Sequence, residues 1–248
     1  MNTLNFIVPK SWAQLDDNQL RYIYRLIASE FSLDEVKTLA LLKFSGCRVL
    51  GRDNHGFIIK SGKRIFLVSA IKLAEVLPAL DWLNSLPLTP VRLSSIRRHK
   101  PVPADFQEVP FETFIIVENL YQGFLSTKND AMLDDIAHVL YPGLKASLSP
   151  EERISIFYWV AALKDMLARR FPDFFLPVSS GQENLLGAPP NIGVQLQESM
   201  DAQIRALTKG DITKEREILA LDTWRALTEL NAQAKDYKQL NAQANAKK

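Results

Sequence analysis

Four places in this chain hold residue types that could do chemistry. Gly56 to Lys63, GFIIKSGK, has the glycines and lysine of a phosphate-cradling loop. Such a loop reads G-x-x-x-x-G-K-S/T, so that backbone N–H groups ring the phosphate and the final hydroxyl holds magnesium. Here five residues separate the glycines, and Arg64 stands where the hydroxyl belongs. Ser69-Ala-Ile-Lys72 fits the S-x-x-K pattern of serine acyl enzymes, but its usual companions S-D-N and K-T-G are absent. A helix cap followed one turn later by a surface lysine explains it. Asp134 and His138 sit i, i+4 on an expected helix and could offer two metal ligands. A metal site needs a third or fourth, and neither His55 nor His99 is near in sequence. Cys47 follows a helix stop among apolar residues, with no local signature of a nucleophile. The expectation is therefore no catalytic residue, no metal site and no cofactor.

One basic cluster remains: Arg92, Arg97, Arg98, His99 and Lys100. Arginine suits phosphate contact, and a loop can enter a groove of a nucleic acid. Against this, no base-stacking aromatic is interleaved within the cluster, and the chain's formal charge is only +2. A solvated loop or a protein contact is the preferred reading, with Arg92, Arg97, Arg98 and Lys100 as the nucleic-acid alternative.

The elements that must position these residues follow from composition and periodicity. With 248 residues, 47% of them apolar and 23% charged, the chain can bury a sizeable core. A single cysteine fits a reducing compartment. The start MNTLNFIVPK has no basic segment followed by an apolar run, and stretches such as IFYWVAAL are too short to span a bilayer. The expectation is a cytoplasmic protein away from membranes.

Helical spacing over residues 16 to 30, with Asp16 and Gln19 as a capping box, predicts a first helix. Ser32 with Glu35 starts a second, which Gly46 stops. Residues 48 to 69 are β-branched and aromatic with turn signals DNHG and SG, which predicts a three-stranded meander packed on the helices. Ser69 should cap the next helix, and Pro78 should kink or end it. Residues 86 to 110 hold five prolines and predict an extended connection across the surface. Helices are expected at about 111 to 125, 130 to 140 and 150 to 170, the last started by Ser149, Pro150 and Glu152. The dense aromatics of 111 to 124 and 157 to 175 are core by spacing, with part of FPDFF exposed as a partner patch.

The end of the chain is different. Residues 177 to 193 are rich in glycine, proline and serine and predict a linker. A helix then stops at Gly210, and from 214 to about 240 an apolar residue recurs every three or four positions. Ile218, Leu221, Trp224, Leu227, Leu230 and Tyr237 lie on that stripe, which the chain's own domain, a second copy or another protein must cover. The expected fold is mainly α: a multi-helix globular domain at 1 to 178 with a small antiparallel β-meander, a linker at 179 to 193, and an amphipathic helical arm at 194 to 248. The six stripe residues are the candidate partner-binding site, with Trp224 as its anchor.

The run MDAQIRALTKGDITKEREILALDTWRALTELNAQAKDY resembles proteins of Bacteroidetes-type prophages. FETFIIVENLYQGFLST and ISIFYWVAALKDMLARRFPDFFLP resemble the same group, whose members look like tail assembly chaperones of long-tailed phages. The resemblance covers most of the chain and brings no motif with a mechanism. It implies a non-enzymatic role in the host cytoplasm, with a tape-measure or tail-tube protein as partner and self-association as a further expectation.

Overall fold

The computed structural model describes residues 6 to 175 and 201 to 246. Its elements are α1 (Asp17–Ala28), α2 (Leu33–Phe44), β1 (Cys47–Asp53), β2 (Gly56–Ser61), β3 (Arg64–Val68) and α3 (Ala70–Val76). There follow α4 (Phe111–Thr127), α5 (Ala131–Leu140), α6 (Pro150–Arg170), α7 (Pro172–Phe175), a helical stretch α8 at 201–208, α9 (Glu215–Leu219) and α10 (Thr223–Ala246). The chain is mainly helical with one small antiparallel sheet, as expected. The proposed linker falls outside the described residues.

The chain divides into two compact units. Unit 1 comprises residues 1–94 with 148–158, and unit 2 comprises 95–147 with 159–248, so the division falls within α6. The C-terminal helices belong to the same unit as residues 95–147, whereas the sequence suggested a separate arm after residue 178.

In unit 1 the capping signals are realised. The Asp16 and Ser32 side chains each accept the N–H of the third helical residue, and Gln19 and Glu35 return the bond. Trp12 centres the core: its ring stacks on Tyr24 at 6.0 Å, meets Trp82 edge-on at 5.4 Å, and lies 5.4 Å from Tyr158. Its indole N–H donates to the carbonyls of Trp82 and Ser85, so a large apolar ring is buried with its one polar group satisfied. The sheet is a meander of order β1-β2-β3, with Ile59 fully buried on its inner face. Gly56 closes the first turn, where a Cβ would lie 2.9 Å from Ser69 Cα, a space only glycine fits. Pro78 ends α3, and the chain continues as a 3-10 stretch from Leu77 to Asn84.

In unit 2 the proline-rich connection keeps most of its residues half-buried or exposed, as expected, but is pinned by buried apolar side chains. Ile96 and Phe106 are fully buried and Val109 nearly so, because these apolar side chains fill space that short helices leave open. In unit 1 Leu93, from the same connection, is likewise buried. Trp159 is boxed by Phe106 at 6.5 Å and Tyr141 at 6.0 Å, and its indole donates to the Ala104 carbonyl at 2.8 Å. Helices α4 and α5 approach so closely at Gly123 that a Cβ there would stand 2.7 Å from Met132 Sδ.

Candidate functional site

The predicted continuous helix from 214 to 240 is broken. Helix α9 ends at Leu219, and α10 starts at Thr223 with Asp222 before it. At the break the backbone leaves the helix to pair with the 109–111 segment. Phe111 N–H donates to Leu221 O and Thr223 N–H to Val109 O, both at 2.8 Å. Asp222 serves both sides of this junction. One carboxylate oxygen accepts the Arg225 N–H as an N-cap, and the other accepts the Glu108 N–H at 2.6 Å. The Thr223 hydroxyl donates to Val109 O from a fully buried position. Helical periodicity runs through this point, which is why the sequence read as one helix.

The stripe is therefore covered over its first half by its own unit. Leu227 is fully buried and Leu230 nearly so. Ile218, Leu221 and Trp224 are half-buried. Trp224 meets Phe171 edge-on at 5.7 Å and donates its indole N–H to Asp105 O at 2.7 Å. That bonding makes it an internal anchor in this conformation. Tyr237, in contrast, is 67% exposed, and Leu240 beyond it is 64% exposed.

Between the two halves lies a groove of about 600 Å³ within unit 2. Phe114, Phe174, Phe175, Leu230, Ala234 and Tyr237 give it apolar walls. Helix α8 brings Ala202 and Ala206, one turn apart, and their small side chains leave the space open. Glu118 is the one carboxylate among the described lining residues, and it is ion-paired with Lys164. Lys164 also lies over the Tyr121 ring, 5.4 Å from its centroid. Burial, and secondarily the Glu118 charge, push the Tyr121 phenol up to about 12. Asn231 holds the groove's far wall in place: its side-chain oxygen accepts the N–H groups of Asp173 and Phe174 at the start of α7. Lys238 pairs with Asp173 at 3.0 Å. Sequence reasoning expected part of FPDFF to be exposed, and Phe174 and Phe175 are half-buried at the groove; it missed Asn231 and the alanine pair, whose residue types carry no signal outside this packing.

The other candidates resolve locally. Gly56 to Lys63 is strand β2 with a tight turn, and Ser69 Oγ accepts the Lys72 N–H while Lys72 pairs with Glu75. Asp134 is buried on α5, whereas His138 is half-buried with its Nε2 3.4 Å from Ala146 O. Among the described residues no three His, Cys, Asp or Glu side chains gather. The basic residues fall on both sides of the boundary between the units. Arg92 lies half-buried in unit 1, and Arg97 donates to Ser147 O at 2.5 Å in unit 2. Arg98 and Lys100 are exposed. Residues 96 to 99 form a turn closed by bonds in both directions between Ile96 and His99, with Arg97 and Arg98 at φ of 48° and 72°. Positive φ at both central positions is the type I′ pattern, which ordinarily takes Asn-Gly.

No family model matches this chain. No curated protein and no solved structure matches it significantly either.

Proposed function

We propose that this protein is a non-enzymatic assembly factor that holds a helical segment of another protein, in the manner of a phage tail assembly chaperone. The carrying observation is the aromatic groove and its continuation onto the uncovered end of α10, at Tyr237 and Leu240. An apolar face that ends in a groove accepts an amphipathic helix by inserting apolar side chains at one-turn intervals. Tyr237, with an apolar ring and a polar tip, is the residue type that anchors such contacts. The resemblance to prophage tail-gene products supports a tape-measure protein as the guest, since long coiled guests offer many such segments. The groove, rather than the buried Leu227 or the internally bonded Trp224, is the contact surface in this reading.

Co-expression with a tape-measure protein of a prophage whose tail-gene products the chain resembles tests it. The full chain should raise the guest's soluble fraction, and Tyr237→Glu with Leu240→Glu should abolish that effect without lowering the melting temperature. A guest equally insoluble with and without the chain would overturn the proposal.

A further inference from the structure

The small sheet of unit 1 carries a second surface that goes beyond the groove reading and is independent of it. Strand β3 is an edge: the order is β1-β2-β3, and among the described residues no strand lies beyond it. Ser61 pairs with Arg64 across a two-residue turn whose first residue, Gly62, has φ 58°. In such a hairpin the closing pair is hydrogen-bonded, so bonded and non-bonded pairs alternate along the ladder. Arg64, Phe66 and Val68 therefore bond to β2, and Ile65 and Leu67 turn their N–H and C=O groups outward. The side chains of the same two residues are 63% and 54% exposed. An extended, apolar edge of this kind is a template for another strand.

The electrostatics select the guest. Between residues 47 and 68 stand Arg48, Arg52, Lys60, Lys63 and Arg64 against one carboxylate, Asp53. The whole chain is only +2, so the excess is local. Asp53 is already used, accepting the His55 and Gly56 N–H groups. Among the described residues none of the five cations has a carboxylate partner, although Arg52 lies over the Phe57 ring. By register Ile58, Lys60, Ile65, Leu67 and Arg48 share the outer face, which is aliphatic and cationic.

We propose that β3 receives an extended segment of another protein, rich in alternating aliphatic and acidic residues, as a fourth strand of this sheet. Its aliphatic side chains lie beside Ile65 and Leu67, and its carboxylates, which alternation turns to the other face, lie beside Arg64 at the strand's start and next to Lys63 in the turn. Two other anionic guests fit less well. A single-stranded nucleic acid wants aromatic platforms, and Phe57 and Phe66 share the inner face with buried Ile59. A lipid surface would desolvate the outward N–H and C=O groups without pairing them.

Fluorescence anisotropy of the full chain with a labelled valine–glutamate alternating octapeptide tests this, beside a block isomer of the same composition. Anionic phosphatidylserine vesicles and a labelled oligothymidine are the competing arms. The alternating peptide should bind, protect the Ile65 and Leu67 amides from exchange, and exceed the block isomer in affinity. Ile65→Glu with Leu67→Glu should weaken it by about tenfold or more. Leu67→Pro, which removes one outward N–H, should weaken it as well, with circular dichroism establishing that each variant is folded. Equal binding of the block isomer, or unchanged exchange at the two amides, would reduce the surface to unspecific charge and overturn the proposal. Binding of vesicles or oligothymidine in place of the peptide would overturn it too.

Discussion

At the scale of the residue, neighbours on one helix have opposite fates. Leu227 is fully buried, and cutting it to Ala leaves a cavity on top of the lost transfer energy. Thermal unfolding of Leu227→Ala should show a loss of about 2 to 5 kcal/mol. Leu240→Ala removes an exposed side chain and should stay within about 0.5 kcal/mol of the parent. Tyr121 offers a pH test. Its proton is held more tightly in the folded chain, at about 12 against an ordinary value of 10.0. That contribution is complete below pH 10 and is lost as pH rises from 10 toward about 12. Denaturant unfolding at rising alkaline pH should show stability falling more steeply for the parent than for Tyr121→Phe. A parallel fall in both would mean that another group carries the alkaline transition.

At the scale of the element, caps and the stops at Gly46 and Pro78 were legible, and the break at 220 to 222 was not. Asp16, Ser32 and Ser69 declare helix starts because a cap is a local bond between a side chain and the N–H three residues on. The break at 220 to 222 depends instead on Val109 and Phe111, more than a hundred residues earlier, which supply the partners that replace helical bonds. Asp222 bonds to both sides, so Asp222→Ala should cost about 1 to 2 kcal/mol, with Asp222→Asn recovering part of it. The 96–99 turn predicts the reverse sign. Arg98 holds φ 72° without the freedom of glycine, and Arg98→Gly should stabilise the chain by about 1 kcal/mol in chemical denaturation.

At the scale of the molecule, the last helix belongs to the unit that residues 95–147 begin. Ending the chain after Gly210 removes Leu227, Leu230 and the backbone partners of Val109 and Phe111. Amide exchange across α4 should then accelerate by orders of magnitude, whereas ending it after Leu240 should leave α4 protected. If the shorter chain keeps α4 protected, the C-terminal helices add little to this unit, and a partner could take the whole stripe.

The sequence by itself determined the helix starts, the meander with its turns, and the identity of the apolar stripe. Each is decided by bonds and periodicities within a few residues. Only the tertiary structure decided how much of that stripe is covered, because amphipathicity states that a face must be buried and never names what buries it. It also decided the groove, which exists because Ala202, Ala206 and the phenylalanines of α7, a helix whose start Asn231 holds, meet around a space none of them fills. The outward-facing bonds of Ile65 and Leu67 were decided the same way, since the register of three strands, and not their composition, sets which backbone groups are left unpaired.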